Sequence, residues 1–227
     1  MLSAKMEDYL KAIYELQRES DDPVSTSRIA ETLDVTAPTA TSMMEKLEER
    51  ELVEREKYKG VRLTPEGRTV ALEVVRHHRL LETYLSEQLG YDWATVHDEA
   101  DRLEHHISEE FERRVADALG DPQVDPHGDP IPDDSLEPVD EGAGTTLGEC
   151  GEGETVVVQR VRDRDPDELA YLDDAGITPG TVVRVEEVAP IGMVSLRLAD
   201  GEAVSLPEDV AGSIRVELAE EPAENAQ

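Results

Sequence analysis

Of the six histidines in this chain, five fall between residues 77 and 106, interleaved with carboxylates. In the run His97-Asp98-Glu99-Ala100-Asp101-Arg102-Leu103-Glu104-His105-His106, a helical reading at about 100° per residue sets Asp101 about 40° from His97, Glu104 about -20° and His105 about 80°. Four metal-competent side chains then share one arc, while His106 points about 180° away. Upstream, His78 and Glu82 stand at i, i+4, stacked on one helix face. The segment offers imidazole nitrogen and carboxylate oxygen but no thiolate. That donor set suits Mn(II) or Fe(II), whereas thiolates select zinc or softer ions. The plain alternative is a solvated acidic helix face with incidental histidines. In so acidic a chain carboxylates alone mean little, so the histidines carry the metal reading.

Such a cluster needs helices to hold it, and the apolar spacing supplies them. Met6, Leu10, Ile13 and Leu16 predict a helix over 5–18, broken by Asp22-Pro23. Ile29, Ala30 and Leu33 mark a second over 27–33. Ala37-Pro38 opens a third, with Ala40, Met43, Met44 and Leu47 as its stripe, ending near Arg50. Two short helices joined by a tight turn are the helix-turn-helix pattern. A β-hairpin follows, from Leu52 to Leu63 across Tyr58-Lys59-Gly60, in the place of a wing. Thr64-Pro65 starts a long helix that Gly90 ends. One further helix is expected from about Trp93 to Leu119, stopped by Gly120. Residues 121–150 are rich in Pro, Gly and Asp and read as a linker. Beyond them come short strands at 155–161, 182–188, 194–198 and 203–206, with a short helix over 165–174. The natural reading is a small SH3-type barrel followed by an acidic, disordered tail. The fold class expected is α+β.

Composition sets limits. The net charge is -32 over 227 residues, which by itself argues against nucleic acid, whose binders are usually basic. The distribution of that charge points the other way. Residues 1–70 hold 11 Lys+Arg against 15 Asp+Glu, a net of -4, whereas residues 121–227 carry a net of -21. The overall acidity is read as adaptation to a high-salt cytoplasm, where self-repulsion is screened within about 3 Å. With no run of 18 apolar residues, no apolar leader and only Cys150 as a thiol, the expected location is the reducing cytoplasm, away from membrane. At the head of the third helix, Thr36, Pro38, Thr39, Thr41 and Ser42 could meet phosphates or base edges. Lys46, Lys57, Lys59 and Arg62 are read as phosphate contacts, with Arg28 beside them.

The chain strongly resembles the diphtheria-toxin-repressor and manganese-transport-regulator family. The resemblance is carried by Met6-Glu7-Asp8-Tyr9-Leu10, Ile29-Ala30-Glu31, Glu56-Lys57-Tyr58-Lys59-Gly60, Leu63-Thr64-Pro65-Glu66-Gly67, His78-Arg79-Leu80-Leu81-Glu82, Val96-His97-Asp98-Glu99-Ala100, Glu104-His105 and Pro126-His127-Gly128-Asp129-Pro130-Ile131-Pro132, in family order and spacing. It covers about residues 4–132, and more weakly the C-terminal barrel. It implies a winged helix-turn-helix over 1–70, a helical metal-binding and dimerisation domain over 71–132, a linker over 133–144, an SH3-like domain over 145–218 and an acidic tail over 219–227. It also implies two metal sites: a primary one of Asp8, Asp101, Glu104 and His105, and an ancillary one of His78, Glu82 and His97 with Asp165 and Glu168 from the barrel. Asp8 and Asp101 stand where manganese-type members have carboxylates. Lys11, however, replaces an acidic residue of their two-ion cluster. His106 and His127 are left as structural, and His77, which faces away from His78, is left out of both sites.

The function implied is a homodimeric repressor of metal-uptake genes that binds a palindromic operator in double-stranded DNA when Mn(II) or Fe(II) is bound. The main alternative is a winged-helix regulator freed from metal control and sensing through its C-terminal domain. A metalloenzyme is disfavoured, because no nucleophile or general base stands beside an open coordination position. A winged helix turned to protein binding is the third possibility.

Overall fold

The computed structural model describes residues 2–19, 22–56, 59–137, 144–162 and 165–219. It divides into two compact units, one drawn from Met1–Leu81, Ala100–Asp121 and Ile131–Val139 and the other from Glu82–Glu99, Pro122–Pro130 and Asp140–Gln227.

In the first unit, helices α1 (Ala4–Glu19), α2 (Thr26–Thr32) and α3 (Ala37–Glu48) surround a core that includes the fully buried Leu10, Ile13, Ile29, Met44 and Leu47. Side-chain caps set the helix starts: the Ser25 hydroxyl accepts from Arg28 N and that of Thr36 accepts from Thr39 N, each satisfying an amide that has no partner inside its helix. Strands β1 (Val53–Glu56) and β2 (Gly60–Leu63) pair antiparallel as the wing, with Val53 opposite Leu63. The segment after α1, expected only to break the helix, also stitches the wing. Val24 and Val61 exchange both backbone hydrogen bonds at 2.9 Å. Gly60 makes this approach feasible, since a Cβ there would lie 2.1 Å from the Val24 carbonyl oxygen. At the far end of α1, the Gln17 Oε1 accepts from Leu63 N at 3.1 Å.

Helix α4 (Pro65–Leu89) follows, its first turn capped by Thr64, whose hydroxyl accepts from Gly67 N. One continuous helix over 93–119 is not found. The chain forms α5 (Val96–Leu103) and α6 (Glu109–Leu119), with turns between them. Ser108 is the reason: its side chain accepts from Phe111 N, and Glu109, Glu110 and Glu112 crowd the first turn of α6, where a helix N-terminus favours negative charge. Glu104 and His105 therefore lie in the turn after α5, and the single helical arc expected for them does not form.

The second unit is built on a six-stranded antiparallel sheet in the order β3-β8-β4-β5-β6-β7. Its strands are β3 (Thr145–Thr146), β4 (Thr155–Val161), β5 (Val182–Ala189), β6 (Met193–Leu198), β7 (Ala203–Pro207) and β8 (Ile214–Leu218). Helices α7 (Pro166–Asp174) and α8 (Glu208–Ser213) accompany them. Leu147, Val158, Leu169, Leu172, Ile177, Val185 and Leu196 are fully buried in its core. Register shifts between Val158 and Arg160 and between Val185 and Glu187 mark bulges, which raise local twist and curl a sheet. Strands β3 and β8 were not expected. Ile214 and Val216 alternate inward as a strand should, but α8 runs directly into them and hides the boundary.

Residues 122–130, read by composition as part of a linker, are packed structure. Val124 and Pro130 form a bridge, and Asp125, His127 and Asp129 are buried. Val161 N donates to His127 O at 2.9 Å, and Gly128, at φ +89°, lies against β4 where a Cβ would sit 2.0 Å from Gln159 O. Of the expected tail, residues 220–227 lie outside the described residues. Among the described residues no helix is long and apolar enough to cross a membrane.

Candidate metal centre

Helix α1 buries Met6, Tyr9, Leu10 and Ile13, leaving Glu7, Asp8 and Lys11 to face the turn after α5. There Asp8, Glu104 and His105 each bring one ligand atom within 4.8 Å of the others. Asp8 Oδ1 lies 2.7 Å from His105 Nε2, and Glu104 Oε1 lies 3.3 Å from the same nitrogen. The other ring nitrogen, Nδ1, is 2.7 Å from Glu7 Oε2. With Nδ1–H donated to Glu7, Nε2 is the nitrogen that would take an ion between Asp8 and Glu104 in place of its proton, the carboxylate-histidine pairing that orients metal-bound imidazoles. One imidazole nitrogen and hard carboxylate oxygens, in a pocket where Glu104 is only 2% exposed, fit a divalent ion of the Mn(II) or Fe(II) kind.

Glu104 is shared. Its Oε2 receives Lys11 Nζ at 2.8 Å and His78 Nδ1 at 2.6 Å. Both partners also reach Asp101 Oδ1, Lys11 at 3.0 Å and His78 at 3.1 Å. Asp101, expected beside the other three primary ligands, is thus drawn to Lys11 and His78. Charge environment follows geometry. Burial pushes the Asp8 carboxyl above its ordinary range, against the pull of His105. Burial acts in the same direction on Glu104, but the Lys11 charge and the His78 hydrogen bond outweigh it and hold that carboxyl low. For Lys11, burial favours the neutral amine, yet Glu104, Asp101 and Glu15 together keep the ammonium more firmly protonated than usual.

Two supporting groups escaped the sequence reading. Glu7 is one; its position one residue before Asp8 was a signal that helical periodicity alone does not weigh. His77 is the other. Its Nδ1 lies 3.1 Å from the Glu104 carbonyl oxygen and its Nε2 lies 3.2 Å from Glu112 Oε2. Both neighbours are acceptors, so a ring that donates to both is the protonated imidazolium. Burial alone would lower the His77 pKa, but the Glu112 hydrogen bond and charge raise it above the ordinary value.

In the second unit, Glu82 Oε1 lies 3.0 Å from His97 Nδ1. Glu82, Asp125 and His127, all buried, also gather ligand atoms within 4.8 Å. His127 Nε2 donates to Trp93 O at 2.9 Å, so Nδ1 is the nitrogen turned to Glu82 Oε2, at 3.8 Å. This group too was missed, because Asp125 and His127 approach Glu82 only through tertiary packing. Asp165 and Glu168 belong to no such group among the described residues. Asp165 caps α7 through Asp167 N and Glu168 N, and Glu168 accepts from the Ser213 hydroxyl.

The α3 N-cap Thr36 and the α3 residues Pro38, Thr39, Ser42 and Lys46 are exposed, as is Arg28 on α2. Thr41 is half-buried and its hydroxyl donates back to Ala37 O at 2.9 Å. On the wing, Lys59 and Arg62 both engage Glu56, at 3.0 and 3.1 Å. Lys57 lies outside the described residues.

Comparison with known proteins agrees with this layout. Residues 1–61 match the iron dependent repressor N-terminal DNA binding domain. Residues 64–133 match the iron dependent repressor metal binding and dimerisation domain, and residues 145–218 a FeoA domain. The diphtheria toxin repressor of Corynebacterium glutamicum is 36% identical over 223 residues, covering 94% of this chain and 96% of that protein. The iron-dependent repressor IdeR of Mycobacterium tuberculosis is 35% identical over 226 residues, covering 93% and 96%. A solved manganese-dependent transcriptional repressor in complex with manganese superposes with a TM-score of 0.87 at 42% identity, covering 94% of this chain and 100% of that one. Carrying all three domains in order, the chain belongs to the iron-dependent repressor family of metal-dependent, DNA-binding transcriptional repressors, with double-stranded DNA and a second copy of itself as partners.

Proposed function

We propose that this chain represses metal-uptake genes in the cytoplasm, closing on a palindromic operator as a homodimer when Mn(II) or Fe(II) is held between α1 and the turn after α5. The observation that carries this reading is the meeting of Asp8, on the helix before the helix-turn-helix, with Glu104 and His105, 97 residues on in the chain at 2.7 Å from Asp8. Asp8, Glu104 and His105 are the ligands assigned to the primary site, with Asp101 joining them. A divalent ion there supplies positive charge that converts carboxylate repulsion into a tie. The effect on DNA depends on that tie being better made in the DNA-competent state, and DNA then tightens metal binding by the same factor.

The division of labour follows: residues 1–70 read DNA, residues 71–132 hold metal and dimerise, and residues 145–218 modulate. Arg28, Lys46, Lys57, Lys59 and Arg62 meet phosphates, and Thr36, Pro38, Thr39, Thr41 and Ser42 approach the groove. An ancillary position centres on Glu82, with His97 and the Asp125–His127 pair around it. His78 serves the primary centre through Glu104. No catalytic role is assigned to any residue.

The test is fluorescence anisotropy with promoter DNA from a metal-uptake gene, using wild type and Asp8→Asn titrated with Mn(II) and, anaerobically, Fe(II). The expected result is metal-dependent binding that Asp8→Asn loses. Equally tight binding by chelator-treated wild type would mean that the cluster is structural and that control lies elsewhere, as in sensing through the C-terminal domain.

A further inference from the structure

Glu112 on α6 joins two parts of the first unit. His77 Nε2 donates to its Oε2, and the other nitrogen of that ring grips the Glu104 carbonyl oxygen, so this arm ends on the main chain of the metal turn. Arg76 Nε donates to its Oε1. The same guanidinium donates through Nη1 to the Pro132 carbonyl oxygen at 2.5 Å and through Nη2 to Asp134 Oδ1 at 2.6 Å. Arg76 is buried and uses donors on all three sides of its fork. A planar guanidinium can do that, and a lysine ammonium on a flexible stem cannot replace it. The second arm therefore ends on residues 131–137.

These residues form a strap with a shape of its own. Asp133 Oδ1 accepts from Ser135 N and Asp133 O accepts from Leu136 N, which closes a tight turn. Leu136 sits at φ +50°, left-handed backbone that a residue with a Cβ disfavours. Its side chain offsets that penalty by packing against the apolar cluster that includes Leu10, Ile13, Ile29 and Leu47, the core shared by α1, α2 and α3.

We propose that Arg76 and Glu112 are positioning residues for the metal turn: they tie the main chain of Glu104 to the strap, so that seating Leu136 on the winged-helix core and holding a divalent ion strengthen each other. The inference rests on the metal-binding reading above. All of its parts lie within the first unit. An ion held by Glu104 and His105 favours one conformation of the turn. That conformation aims the Glu104 carbonyl at His77, which fixes one oxygen of Glu112 and so aims the other at Arg76. Linkage makes the effect mutual and equal in size: the factor by which the seated strap raises metal affinity is the factor by which the ion favours the seated strap.

The test measures Mn(II) affinity for wild type, Leu136→Ala, Glu112→Ala, Arg76→Lys and the double variant Leu136→Ala/Glu112→Ala. It also follows hydrogen exchange of the peptide spanning residues 131–137 by mass spectrometry, with and without Mn(II). Glu112→Ala and Arg76→Lys are expected to weaken Mn(II) binding about 10-fold, the low end for loss of an outer hydrogen-bond partner. Leu136→Ala should weaken it several-fold. In the double variant Leu136→Ala should add nothing to Glu112→Ala, because the path it acts through is already cut, whereas two merely structural losses would add. In wild type, Mn(II) should slow exchange across the strap several-fold. The exchange measurement needs no variant, so it decides the matter even where Glu112→Ala fails to fold. Wild type that binds no Mn(II) at all would overturn the metal reading and the coupling with it. Wild type that binds Mn(II), with strap exchange unchanged or with additive losses in the double variant, would overturn the coupling alone.

Discussion

His77→Leu removes a residue that touches no ion yet should weaken the centre. The leucine keeps apolar bulk in a buried position but abolishes the donor to the Glu104 carbonyl and the one to Glu112. Leaving a buried carbonyl without its donor costs ~1–3 kcal/mol. The Glu112 bond adds little more, since that carboxylate keeps Arg76, whose Nε lies 2.5 Å away. A net loss of about 2 kcal/mol corresponds to a fall in melting temperature of roughly 4–8 °C for a chain of this size. Freeing the backbone that carries Glu104 and His105 should weaken Mn(II) binding by about 10–100-fold, the usual effect of losing an outer-shell partner. The pH dependence has a definite sign. The folded-state pKa of His77 is raised above its ordinary 6.5, so its stabilisation is complete below that value and fades as pH rises through the folded one. Thermal unfolding with chelator, followed by circular dichroism at pH 6 and pH 9, should therefore show a wide gap between wild type and variant at pH 6 and a narrower one at pH 9. An equal gap at both pH values, together with unchanged Mn(II) affinity, would refute the reasoning.

Ser108→Ala removes the cap that separates α6 from α5 and should cost about 1 kcal/mol. Because the turn it ends contains Glu104 and His105, Mn(II) titration should also show weaker binding; a drop in melting temperature with intact Mn(II) affinity would mean the turn holds its shape without the cap. Adaptation to salt predicts that the melting temperature rises as potassium chloride is raised from about 0.1 M toward multimolar, where the Debye length shrinks to about 3 Å. A salt-independent midpoint would assign the acidity another origin.

Much of the scaffold was legible because its signals are local. Thr36, Pro38, Thr64 and Pro65 mark helix starts by their own chemistry, and Val61 and Leu63 alternate inward on β2 as a paired strand must. The centre was legible in part. His105, Glu104 and Asp8 were singled out by side-chain type and by family resemblance, but the arc of His97, Asp101, Glu104 and His105 was drawn on one helix that Ser108 in fact divides. Signals of comparable strength competed there: an apolar helical period across residues 96–119 and a capping residue within it. What stayed hidden depends on packing between distant segments. His77 faces Glu104 and Glu112, and Asp125 and His127 reach Glu82, only after the chain has folded. Lys11 shows the difference most clearly. In the sequence it is a missing ligand, a subtraction from a pattern; in the structure its ammonium is a partner of Glu104 and Asp101.

Helix α1 has one end in the centre and the other on the wing: Asp8 faces His105, and Gln17 accepts from Leu63 on β2. At 1.5 Å per residue the two side chains are attached about 14 Å apart on one rod. A helix of that length is stiff, so it behaves as a beam with two loaded ends. Swung about its middle, a beam this short turns by roughly 8° for each ångström that Asp8 travels and carries Gln17 an ångström the other way. No relay of intervening side chains is then needed between ion and DNA. The Val24–Val61 stitch also fastens the wing to the chain that follows α1, so the hairpin is tied to this part of the fold at two points.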